Sequence, residues 1–138
     1  MARIVAIDYG QKRTGLAVTD PLQLIATPLA TVATAELLKY LGGYSEKETI
    51  ACFVVGYPKN MDNTPSEAMR YINPFVERLR QRFPNIPVMQ EDERFTSKMA
   101  LRAMIDGGMK KMDRRDKGMI DRVSAVIILQ AYMDRIKG

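Results

Sequence analysis

The stretch Ile4–Asp20, IVAIDYGQKRTGLAVTD, constrains the fold more than any other. Ile4-Val5-Ala6-Ile7 is apolar at both parities, as a strand is when both its faces are buried. Gly15-Leu16-Ala17-Val18-Thr19 is a second β-like run, and Gln11-Lys12-Arg13-Thr14 is a basic turn between them. The spacing predicts two adjacent antiparallel strands with a tight connection. Asp8 ends the first strand. A carboxylate there is costly to bury without a partner. A bound cation would supply one; equally, Asp8 could cap the turn through its own side chain.

The rest of the chain alternates strands and helices. A third strand is expected over Ala26–Val32. Thr34 is placed to cap a helix over Ala35–Leu41, which Gly42-Gly43 would end unless the polar Tyr44–Thr49 continues it as a further turn. Ile50–Val55 reads as a buried parallel strand. Thr64-Pro65-Ser66-Glu67 has the form of a capping box, opening a helix toward Phe83 with Ile72, Phe75, Val76 and Leu79 inward. Pro74 should kink that helix or mark a restart capped by Asn73. Ile86–Gln90 is a short strand. A helix over Lys98–Ile105 and the basic loop Met109–Lys117 follow, and a last helix reaches Ile136.

This order predicts an α/β fold: a five-stranded mixed sheet flanked by helices, its first three strands an antiparallel meander and the later two entering by helical crossovers. The 138 residues suit one domain, residues 1–138, with a single substantial core. No apolar run approaches the roughly 20 residues of a membrane span. A lone cysteine, Cys52, fits a reducing compartment, so a cytoplasmic protein with no membrane partner is expected.

The chain has no histidine. That removes histidine-dependent triads, imidazole bases and His/Cys zinc sites. Acid–base or metal chemistry falls to carboxylates, which favour hard cations such as Mg2+ or Mn2+. Three acidic positions stand out: Asp8, the pair Asp92 and Glu93 after the last strand, and Asp121. At about 100° per residue Asp121 shares a helix face with Ala125 and Ile128, pointing to the core side. A salt bridge with Arg122 or a nearby lysine is the plainer explanation of Asp121. Converging carboxylates would instead cage one or two divalent ions able to activate water for phosphodiester cleavage. Strand parity leaves Asp92 and Glu93 as alternatives.

The net charge of +5 suits a polyanionic partner. Lys12 and Arg13 lie beside Asp8. Lys110, Lys111, Arg114, Arg115 and Lys117 form the densest basic tract and lead into the helix bearing Asp121. Solvated loops commonly look like this, but the position favours phosphate-backbone contact.

Ile7-Asp8-Tyr9-Gly10 with Lys12-Arg13, Val55-Gly56-Tyr57-Pro58 with Asn60-Met61-Asp62, Asp92-Glu93-Arg94-Phe95-Thr96-Ser97, and Lys117 with Asp121 and Ser124-Ala125 together resemble the YqgF family, also called RuvX. The resemblance spans almost the whole chain. It implies an RNase H-like fold and a cytoplasmic, divalent-metal nuclease linked to maturation of the 5′ end of pre-16S rRNA. An older assignment is resolution of four-way DNA junctions. It also implies that Asp8, Asp92, Glu93 and Asp121 form the acidic catalytic site, with Asp8, Glu93 and Asp121 as metal ligands, and that Arg94 joins the basic residues on substrate. The segment Lys59–Thr64 departs from the family pattern, with Asn63 where a glycine is usual; asparagine tolerates left-handed backbone better than most residues. The readings to separate are therefore an RNA endonuclease, a junction resolvase and a nucleic-acid-binding module without chemistry, as monomer or homodimer. A phosphate-binding actin-like pair of domains would need a longer chain.

Overall fold

The structure, a computed structural model, describes residues 2–57, 69–92 and 117–137; of residues 92 and 117–121 it describes the backbone. The elements are β1 (Arg3–Asp8), β2 (Arg13–Thr19), β3 (Ala26–Ala33), a 3-10 turn (Thr34–Glu36), α1 (Leu37–Lys47), β4 (Ile50–Tyr57), α2 (Met69–Arg82), β5 (Val88–Asp92) and α3 (Lys117–Lys137). The sheet order is β3-β2-β1-β4-β5. β1, β2 and β3 form the antiparallel meander. β4 and β5 then join in parallel to β1, so the carboxyl ends of β1, β4 and β5 share one edge.

Both faces of the sheet are covered, which is why β1 from Ile4 to Ile7 and β4 from Ile50 to Val55 are apolar at every position. Val5, Ile7, Leu16, Phe53 and Val55 meet Leu37 and Leu41 of α1 and Ile72, Phe75, Val76 and Leu79 of α2. Ile4, Ala6, Ala17, Cys52 and Val54 meet Ala125, Ile128, Leu129, Tyr132 and Met133 of α3. The second face is built from smaller strand residues. They leave the room that the large side chains of α3 fill, and each of those contributes about 1.5–3 kcal/mol by burial.

Several local expectations give way to packing. Arg13 and Thr14 belong to β2, not to the turn, because Arg13 pairs with Ala33 and Thr14 with Val32. Thr34 caps no helix; it opens the 3-10 turn, and α1 begins at Leu37 with no side-chain cap. Gly42-Gly43 does not end α1, which runs to Lys47. Two helical glycines cost about 1 kcal/mol each, and burial of Leu37 and Leu41 with the packing of Tyr44 offsets that. A Cβ at Gly42 would lie 2.8 Å from the Arg82 guanidinium, so a larger residue there would shift that flexible side chain. Pro74 sits inside α2 without a restart at Asn73. It forfeits one bond to the Arg70 carbonyl, while Ile72, Phe75, Val76 and Leu79 hold the turns on either side against the sheet. β5 begins two residues later than expected and takes in Glu91 and Asp92. The expected capping box at Thr64 and the helix over Lys98–Ile105 lie outside the described residues. Among the described residues no helix is long and apolar enough to cross a membrane.

Candidate functional site

Asp8 ends the central strand at the edge shared by the parallel strands. Strand alternation puts it with Ile4 and Ala6, on the face that α3 covers. The register sets it in a row: Asp8 opposite Gly15, and Gly15 opposite Thr31. On the other side the next position of β4 beyond the Ile7–Val55 pair is Gly56, which in turn pairs with Glu91. Asp8 thus stands between two glycines, so no neighbouring side chain in the row crowds its partly buried carboxylate.

The ends of this row anchor α3. Arg122 Nη1 donates to Thr31 Oγ1 at 3.3 Å. Arg135 donates through Nε (2.9 Å) and Nη2 (2.7 Å) to Glu91 Oε2. Four strand spacings are about 19 Å, and the helical advance from Arg122 to Arg135 is about 20 Å. The helix therefore crosses the sheet and contacts all its strands. Glu91 holds the Arg135 guanidinium above its ordinary range, chiefly by the hydrogen bond. Glu91, which precedes the acidic pair Asp92 and Glu93, is thus a structural partner of α3.

Asp121 immediately precedes Arg122, one turn before Ala125, which is buried with Ala6 and Ala17. Its backbone accordingly enters the fold at the Asp8 edge, on the Asp8 side of the sheet. Asp92 is the last residue of β5 and pairs with Tyr57. Glu93, Arg94, Lys110, Lys111, Arg114 and Arg115 lie outside the described residues, and Lys117 opens α3. Among the described residues no three potential ligands gather around one point. The candidate donors are all carboxylates, a set that suits a hard divalent ion and not zinc or copper.

The loop after Asp8 is held from below by Thr34. Its Oγ1 donates to the Gly10 carbonyl at 2.6 Å and lies 2.8 Å from Thr14 Oγ1, and its N–H donates to the Lys12 carbonyl at 3.0 Å. Gly10 admits no side chain: a Cβ would sit 2.3 Å from the Arg13 carbonyl oxygen. Tyr9 stacks on Phe75 with centroids 4.4 Å apart. The result is a braced loop presenting an exposed Lys12 beside Asp8, with Arg13 partly buried at the start of β2. Thr31, Thr34, Arg122 and Arg135 were not singled out as site residues from sequence. Each acts through a partner distant in the chain, which local sequence does not show.

A family model described as RuvX, Holliday junction resolvase, matches residues 2–135. A protein of Parabacteroides distasonis is 55% identical over 137 residues, covering 99% of this chain and 98% of its own. One from Phocaeicola vulgatus is 56% identical over 137 residues, covering 99% of each. Both carry the provisional name pre-16S rRNA nuclease. Among solved structures, Thermus thermophilus RuvC in complex with a Holliday junction substrate superposes with a TM-score of 0.58 at 17% identity, covering 99% of this chain and 96% of that one. At that identity the likeness speaks for the fold, which is RNase H-like.

Proposed function

The chain belongs to the RuvX family, and from that premise we propose that it is a divalent-metal-dependent endonuclease that processes the 5′ end of pre-16S rRNA in the cytoplasm, acting as one RNase H-like domain. The observation that carries the reading is the setting of Asp8: the carboxyl end of the central strand, between Gly15 and Gly56, in the row where Arg122 of α3 bonds to Thr31.

In this reading Asp8, Glu93 and Asp121 hold the metal. Bound Mg2+ or Mn2+ would supply an activated water and charge stabilisation at the leaving oxygen. Strand alternation favours Glu93 over Asp92. Glu91 bonds to α3, and Glu93, two residues on in the sequence, shares its strand parity. The glycines flanking Asp8 leave space for a phosphate to approach. Lys12 and Arg13 border that space, and Arg94, Lys110, Lys111, Arg114, Arg115 and Lys117 supply further backbone contacts.

The test is cleavage of a pre-16S rRNA fragment and of a four-way DNA junction side by side, with Mg2+ or Mn2+, by the native protein and by Asp8→Asn. RNA cleavage by the native protein and none by the folded variant is expected. Full activity of the variant would overturn the assignment. The description of the matching family model favours one second reading, junction resolution. Paired nicks call for a symmetric dimer, so light scattering that finds a monomer on junction DNA excludes it.

A further inference from the structure

On the sheet face away from α3, the loop that follows Asp8 walls a cavity of about 340 Å³. Tyr9 and Gln11 line it from the loop, Ala35 and Leu38 from the start of α1, and Phe75 and Arg78 from α2. Gln11, Ala35 and Arg78 are exposed, so the mouth is open to solvent. Its interior joins the stacked rings of Tyr9 and Phe75 to the apolar Leu38. Its rim carries an amide and a guanidinium that no described residue engages by hydrogen bond or ion pair.

A flat apolar slab beside hydrogen-bonding groups and one cation is the chemistry of a nucleobase with its phosphate. The volume lies at the low end of small-ligand sites, which run from about 300 to 1,000 Å³; it has room for one nucleotide and not for two. Asp8 and Tyr9 are consecutive, one turned to each face of the sheet. A strand whose phosphate lies at Asp8 therefore reaches this cavity across the loop that carries Tyr9 and Gln11.

We infer that the cavity receives a single unpaired nucleotide of the substrate strand, its base against the Tyr9, Leu38 and Phe75 wall and its phosphate on Arg78. The inference rests on the nuclease reading for its substrate but not for its test, which measures binding alone.

A fluorescent pre-16S rRNA fragment, and copies each carrying one abasic residue stepped along it, are titrated with the full chain in EDTA. The expected result is one position at which loss of the base weakens binding roughly tenfold. Arg78→Gln should lose a similar factor on the intact fragment and nothing further on that one abasic copy. Ala35→Phe, which fills the mouth from an exposed position, should behave alike; circular dichroism checks that both variants fold. Equal weakening on every copy, or no weakening, would overturn the site. Saturable binding of adenosine or uridine monophosphate that Ala35→Phe abolishes, without any sensitive abasic position, would mark a free-nucleotide site and overturn the assignment to the strand. A protein that cleaves nothing yet keeps the abasic pattern would sink the nuclease reading while this site stands.

Discussion

Arg122 Nη1 donates to Thr31 Oγ1 at 3.3 Å, and Thr31 lies in the same cross-strand row as Asp8. Through this contact β3, an edge strand, holds α3 near its amino end, and Asp121 is the residue before Arg122. Arg122→Met keeps the aliphatic stem and removes the donor. A partly exposed bond of this kind is worth about 1 kcal/mol, so thermal unfolding should shift by a few degrees. If the bond positions Asp121, the cleavage rate at saturating RNA should fall severalfold with little change in KM. A stability loss with unchanged rate would reduce the contact to a structural one.

Thr34 braces the loop after Asp8 through its hydroxyl. Thr34→Val removes both hydroxyl bonds, each worth about 0.5–1.5 kcal/mol net. A loss of about 1–3 kcal/mol is expected, read as a lower urea midpoint at constant slope. Thr34→Ser should recover most of it. An equal loss in the serine variant, which keeps the hydroxyl, would mean that the hydroxyl bonds do not carry the effect.

Asp20 stabilises the β2–β3 turn by accepting from the backbone N–H groups of Ile25 and Leu24 at 2.8 Å and of Leu22 at 3.1 Å. These bonds, Ile25 first, hold its carboxyl below the usual range. A depressed folded-state value means that its stabilisation is full above the unfolded value of about 3.9 and is lost as pH falls through the lower folded value. Urea midpoints followed from pH 6 downward should therefore fall less steeply in Asp20→Asn than in the native chain below about pH 4. Parallel acid limbs would refute this.

Burial pushes the Cys52 thiol up, against a smaller opposing effect of its hydrogen bond with Tyr132. The thiolate is the reactive form. Labelling by a disulfide reagent at pH 8 should accordingly be slow in the folded protein and should follow global unfolding in urea. Labelling within seconds under native conditions would show that α3 lifts from the sheet near Tyr132.

Periodicity and turn chemistry were enough to read the meander, the parallel entry of β4 and β5, and the apolar stripe of α2. Each is a repeat that local sequence states directly. The readings that failed were local signals outvoted from afar. Thr34 has the form of a cap, but its hydroxyl is taken by Gly10 and Thr14. Gly42-Gly43 has the form of a stop, yet α1 continues because the face before it and Tyr44 after it pack on the sheet. Glu91 adjoins the acidic pair Asp92 and Glu93 in the sequence, and only the arrival of Arg135 from the far end of α3 distinguishes it.

By itself the sequence determined the chemistry open to this protein: without histidine, and with acids closing two apolar strands, any metal it uses meets carboxylates. It also determined that the central strands are covered on both sides, since no polar position interrupts them. Tertiary structure alone decided which residues share a row. Register is a relation between strands, and a slip of one residue would turn Asp8 to the opposite face. That Asp8 stands between Gly15 and Gly56, with Thr31 and Glu91 holding the two ends of α3 beyond them, follows from pairing and packing across the whole chain.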